Sequence, residues 1–420
     1  MQHLIGVQPT CDMVLEIWPP AFQCYNLIVP NLLNLPQSIL GVGCVRKDLI
    51  PLSMYASSRA NGCAYCSSHC CSYAVRRGVD PSQIKTLLEE FHQEGEQGHG
   101  AINAEEKKDT SLDPVQKAVV KLSYGLGTVP CTLTPDNVKE IFKVLPSESD
   151  VEWIVAAATM FGAFNKLMDG LGIPLEQKTY AETVNLMDSN YSLGAAGSFI
   201  QSNRSAGKSQ TSTLLQKSSL LPVIDDWTLK LVCIYEGLRP GGALQLDRQL
   251  HGETPWTATE CMACLENLTG QSFPIISSLQ HVRFYRTITS VLIKNCDDRF
   301  SAGLGLRRKV LVGLKYAEIL ENDRLKAELH VIARTIGISN TNNNENTQIT
   351  ELVLKIGEAL SYTPSRVTPE LVQQIENEEE LKPAMLVELV SFLAALQMLH
   401  RVESFDDARR RAVRNDEEKT

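Results

Sequence analysis

Apolar residues recur at helical spacing along most of the chain, and several of these stretches open on a helix-start signal. Asp80-Pro81 precedes Ile84, Leu87, Leu88 and Phe91; Asp113-Pro114 precedes Val115, Ala118, Val119 and Leu122; Thr134-Pro135 precedes Val138, Ile141 and Phe142. Each proline fits the first helical position, where its missing N–H has no helical partner to lose. Residues 151–168 are apolar on most sides, which predicts a buried helix. Alternating strand patterns are scarce, and no hairpin turn signals flank them. The expected fold class is all-α.

The periodicity vanishes near residue 189, where serine, glycine, asparagine and glutamine crowd together. This predicts a flexible linker at 189–222 between a first domain, 1–188, and a second, 223–405, with a charged tail at 406–420. The polar run Asn340 to Asn346 predicts a surface loop between helices. The two halves echo each other. Thr134-Pro135-x-x-Val138-x-x-Ile141 is matched by Thr368-Pro369-x-x-Val372-x-x-Ile375, a displacement of 234 residues. At the same displacement Lys121 meets Lys355, Pro130 meets Pro364, and the apolar stretch 151–168 meets 384–399. A long collinear match that straddles the linker points to tandem duplication.

Composition narrows the function classes. The 420 residues are 43% hydrophobic and 21% charged, enough for a sizeable core, and the net charge of −9 argues against a nucleic-acid footprint. Arg409, Arg410 and Arg411 sit among Asp406, Asp407, Asp416, Glu417 and Glu418, the pattern of a solvated helix end or tail. The first twenty residues lack the basic and apolar segments of a signal peptide, and prolines and asparagines interrupt the apolar stretch from Ala21 to Val45, so no membrane span is expected. Twelve cysteines are too few for a disulfide scaffold. A reducing, cytoplasmic setting is the expectation.

Four of those cysteines fall in one run, Asn61-Gly62-Cys63-Ala64-Tyr65-Cys66-Ser67-Ser68-His69-Cys70-Cys71. Cys63 and Cys66 have thiol–disulfide spacing. A helix starting there is expected to lower their pKa through its free N–H groups and dipole. His69, three residues after Cys66, shares its helix face and is placed as a base for a thiol. Three readings fit: a redox pair, a zinc site using Cys63, Cys66, His69 and Cys70, or inert core cysteines. Cys70 is also one turn from Cys66, an alternative resolving thiol. The corresponding place in the second half holds Cys296, Arg299, Ala302 and Gly303, neither a thiol pair nor a base. Cys261 and Cys264 form a second CxxC, for which a helical core role is expected.

The passage from Ser58 to His69 resembles the signature of the alkylhydroperoxidase D (AhpD)-like and carboxymuconolactone decarboxylase superfamily, whose members often read S-R-A-N-x-C-x-Y/F-C followed by histidine. The resemblance is sharp over about 20 residues and diffuse over 1–187; over 223–405 it rests on the internal repeat. It implies an all-helical fold, usually in homo-oligomers, with the CxxC at the start of a buried helix. It also implies reduction of a hydroperoxide through a cysteine sulfenic acid resolved to a Cys63–Cys66 disulfide, which an external dithiol reductant restores, with no other cofactor and no metal. In these roles Cys66 attacks, Cys63 resolves and His69 acts as base or relay, with Tyr65 and Cys70 as auxiliaries. Two departures stand out. The peroxidase pattern has histidine four residues after the second cysteine, where Cys70 stands here, and a relay glutamate twelve residues before the first, where Pro51 stands. Asp48 is the nearby substitute.

An active first half and a degenerate second half also resemble the architecture of the sestrins, which implies an interaction protein as the alternative to a peroxidase. A decarboxylase-like enzyme is the third reading, against which the retained CxxC counts. Trp18, Trp153, Trp227 and Trp256 are expected in the core rather than in a pocket.

Overall fold

The computed structural model describes residues 7–41, 45–84, 87, 112–186, 226–338, 348–363 and 365–417. The linker expected at 189–222, residues 88–91 and the loop 340–346 lie outside them. Among the described residues there are helices and no strands, so the chain is all-α.

The first half contains α1 (Cys11–Leu15), α2 (Pro19–Leu32), a single turn at Gln37–Leu40, α3 (Leu49–Asn61), α4 (Ala64–Arg76), α5 (Pro114–Gly127), α6 (Pro135–Val144), α7 (Glu148–Gly170) and α8 (Gln177–Thr183). The second contains α9 (Asp226–Leu238), α10 (Ala243–His251), α11 (Ala258–Thr269), α12 (Val282–Cys296), α13 (Gly305–Ile319), α14 (Asp323–Thr335), α15 (Gln348–Ser361), α16 (Pro369–Glu376) and α17 (Pro383–Glu417). The start signals act as expected. Asp113 caps α5 and Thr134 caps α6, each in a reciprocal capping box with the residue three positions on, and both helices carry proline at their first position. Residues 406–417 continue α17. That helix is long and apolar enough to cross a bilayer, but most of its apolar stretch is buried inside the protein.

Buried side chains from both halves form one core. At its centre α7 lies along α17. On one side α3 packs against α4, α5 and α7; on the other α12 packs against α2, α11 and α17, so helices from the two halves interlock. Helices α6 and α16 start at 135 and 369, 234 residues apart. Close approach is required where α5 ends on α3: a Cβ at Gly127 would lie 2.6 Å from the Ser57 carbonyl oxygen and 2.7 Å from the Ala60 Cβ.

Candidate active site

The site begins at the joint between α3 and α4. Gly62 closes α3 in the left-handed conformation (φ +77°), which a residue with a Cβ adopts only with strain. The chain then turns sharply, so that Cys63 becomes the N-cap of α4 and its Sγ accepts a hydrogen bond from the Cys66 backbone N–H at 3.3 Å. The two sulfurs are thus brought to the first turn of one helix, and every residue of α4 is buried.

Burial reverses the expected activation of these thiols. The helix start does supply a backbone N–H to Cys63, yet removal from water pushes that thiol up to about 11 and the Cys66 thiol well above its ordinary range. Burial likewise raises Cys70, which lies against the Ser58 hydroxyl at 3.6 Å, and takes Cys71 up to about 12. At neutral pH the resting pair is protonated, and attack by either sulfur requires a base.

His69 stands one turn along α4, with Nε2 2.8 Å from Glu176 Oε2. Its Nδ1 is buried without a hydrogen-bond partner among the described residues. Glu176 comes from the segment preceding α8. Its Oε1 accepts from the Tyr65 hydroxyl at 3.1 Å and from the Thr10 backbone N–H at 2.7 Å. Burial disfavours its charge, but the His69 ring and the Thr10 N–H outweigh it, and the carboxyl is held down at about 2. The Tyr65 and His69 rings lie 4.5 Å apart, fixing the imidazole from a second direction.

Cys66 and His69 both line a small apolar recess of about 60 Å³, walled mainly by Met54, Met160, Phe161, Phe164 and Met168, with Cys11 also lining it. Cys63 does not line it. The Asp169 carboxyl at the end of α7 acts on that thiol electrostatically and disfavours its ionisation. Burial raises Asp169 to about 6, even though Cys63 and Lys166 oppose the rise. The Lys166 ammonium is buried and donates to the carbonyls of Leu360, Ser361 and Tyr362 at 2.8, 3.2 and 3.2 Å, at the end of α15.

Of the residues expected from the sequence, Cys63, Cys66, His69 and Tyr65 come together, and Cys70 lies on the same helix but outside the recess. Asp48 does not belong to the site. It precedes α3, roughly 20 Å of helix away from Cys63, where it pairs with Arg46 at 2.7 Å and accepts from Gln116 at 2.7 Å. Pro51 lies in the first turn of α3, at the same far end. The carboxylate that contacts the site, Glu176, lies 107 residues downstream of His69. Cys63, Cys66, His69 and Cys70 do not form one coordination set: among the described residues no group of three or more histidine, cysteine or acidic side chains could hold a metal ion.

Cys261 and Cys264 lie on α11 as free thiols, Cys261 donating to the Pro255 carbonyl at 3.4 Å. In the second half Cys296 ends α12 and is followed by an Asp297–Arg299 ion pair at 2.6 Å. Nearby, Lys309 and Glu388 pair at 2.7 Å in full burial. Comparison with protein families and with curated proteins finds no match to this chain.

The His69–Glu176 pair yields a prediction. Glu176→Gln keeps the shape but removes the charge that pairs with the imidazole. Because folding depresses the Glu176 pKa, its charge contributes stability that is complete above about 4.5 and is lost as pH falls towards about 2. Urea midpoints should therefore show the variant about 2 kcal/mol less stable at pH 7, with the gap narrowing at pH 3.

Proposed function

We propose that the chain is a thiol-dependent peroxidase or thiol–disulfide oxidoreductase of AhpD-like type, built as a tandem pair whose first half carries the chemistry. The observation that carries the reading is the shared exposure of Cys66 and His69 to one apolar recess, with a carboxylate behind the histidine. A hydroperoxide entering the recess meets the Cys66 sulfur. As that sulfur attacks the outer peroxide oxygen, His69 takes the thiol proton and passes it to the departing alkoxide, leaving Cys66 as a sulfenic acid and the peroxide as an alcohol. Cys63 then closes the disulfide with loss of water, and a dithiol reductant restores both thiols.

The matched, proline-led starts of α6 and α16 support duplication. The ion pairs around Cys296 support a second half that has no thiol chemistry of its own. The test is peroxide consumption with dithiothreitol, with cysteine pairing mapped by mass spectrometry. Turnover accompanied by a Cys63–Cys66 disulfide is the expected result; no turnover, with both thiols reduced, sinks the assignment.

A second reading, an interaction protein of sestrin-like architecture, is favoured by one observation. Leu231, Tyr235, Leu238 and Leu244 on α9 and α10 are more than half exposed. It predicts that Cys63→Ser/Cys66→Ser protein retains its partners, whereas Leu238→Glu loses them.

A further inference from the structure

One wall of the recess comes from a segment far outside the motif. Pro9 and Cys11 line the recess, and Thr10 between them holds the carboxylate that pairs with His69. The Thr10 backbone N–H donates to Glu176 Oε1 at 2.7 Å. Its hydroxyl lies 2.7 Å from the Pro174 carbonyl oxygen and 3.1 Å from the same Oε1. His69 takes the other carboxylate oxygen, Oε2, at 2.8 Å. Resting on the peroxidase reading, we propose that the strap formed by residues 9–11 is the specificity element of the site. It restricts the recess to short-chain alkyl hydroperoxides, and Thr10 is a positioning residue that joins this wall to the His69–Glu176 pair.

Volume sets the size of the guest. A cavity of about 150 Å³ takes one benzene, and a single water needs about 10–15 Å³. The recess, at about 60 Å³, has room for a few small groups but not for an aryl ring. Its wall is almost wholly apolar, which favours a short alkyl group over a second hydroxyl. The chemical step is unchanged: the hydroperoxide gives its outer oxygen to Cys66 and leaves as the alcohol of the same chain.

The strap is tied at both ends. Helix α1 follows it, turning Cys11 and Leu15 into the core and leaving Met13 exposed. Just beyond, the Trp18 indole N–H donates to the Phe300 carbonyl of the second half at 2.8 Å. Thr10 suits the latch because α1 begins at residue 11, which leaves its N–H free for Glu176. A wall fixed in this way cannot retreat from a bulky substrate without loosening the carboxylate. Substrate size and the state of the base are thereby linked.

The experiment compares full-length wild type, Thr10→Ser, Thr10→Val and Thr10→Pro on ethyl and cumene hydroperoxide, with dithiothreitol as reductant. Wild type should prefer ethyl hydroperoxide about 100-fold in kcat/KM. Thr10→Pro removes both donors at a position whose φ of −67° suits proline. It should lower kcat for ethyl hydroperoxide about 10-fold and raise kcat/KM for cumene hydroperoxide. Thr10→Val keeps the N–H and should move both values in the same directions by less. Thr10→Ser should keep the wild-type pattern. Damage to the fold lowers both rates together, so opposite movement of the two substrates marks the role. If wild type consumes cumene as readily as ethyl hydroperoxide, or Thr10→Val and Thr10→Pro lower both alike, the role of the strap is overturned while the peroxidase reading stands. If wild type consumes neither and both thiols stay reduced, both readings fall.

Discussion

Under the proposed peroxidase mechanism, Cys66→Ser is expected to abolish dithiol-dependent peroxide consumption, a loss of at least about 1000-fold, because the hydroxyl that replaces the thiol is a far weaker nucleophile and forms no sulfenic acid. Cys63→Ser behaves differently. Each chain consumes one equivalent of peroxide at Cys66 and then stalls as a sulfenic acid, which dimedone captures. The contrast follows from exposure. Cys66 borders the recess beside His69, whereas Cys63 does not line it. Quantifying the first equivalent of peroxide in each variant decides the assignment. If Cys63→Ser rather than Cys66→Ser removes that first equivalent, the two sulfurs exchange roles.

The raised thiols explain why a relay is needed. A thiol at a helix start is activated when water or a nearby cation stabilises its charge. Here desolvation wins: Cys63 stands at about 11 even with the Cys66 N–H on its sulfur. A permanently ionised pair would cost more in this buried setting than the helix start returns. Proton transfer must accompany attack, which is the task the proposed mechanism gives to His69.

Much of this was legible in the sequence because it is local. Proline-led, side-chain-capped starts located α5, α6 and α16, and the apolar run 151–168 located α7. The run from Asn61 to His69 placed two thiols and a histidine together because one helix carries them. The carboxylate was not legible. Asp48 stood near the motif in the sequence, but α3 carries the chain away from it along its whole length. Glu176 reaches the site only because α8 packs back against α4, and sequence spacing carries no trace of that contact. The thiol pKa values were misjudged for the same reason, since the helix start is a local feature and burial is a property of the whole core.

Arg401→Met should destabilise the protein by about 3 kcal/mol, the order expected when the donor of several buried hydrogen bonds is removed and its acceptors are left unpaired. Arg401 is fully buried on α17, where loss of hydration lowers its pKa to about 10. Its guanidinium donates to the Ser57 hydroxyl, to the Ala158 carbonyl at 2.5 Å and to the Gly127 carbonyl at 3.5 Å, so a side chain of the second half terminates α5 in the first. Lys166 makes the reverse crossing, from α7 to the end of α15. Methionine fills much of the same space but leaves those acceptors without the donor that compensated their burial. Gly162 is the floor beneath the arginine: a Cβ there would lie 2.7 Å from Arg401 Nε. Gly162→Ala should therefore cost about 1–3 kcal/mol through overpacking, and most of that cost should disappear when Arg401 is already methionine. Chemical denaturation of the two single variants and the double variant measures this coupling. A single transition displaced as a whole by Arg401→Met is expected of halves that share one core. Two transitions, with only the later half of the chain affected, would mean that the halves fold as independent units and that the crossed cations merely touch.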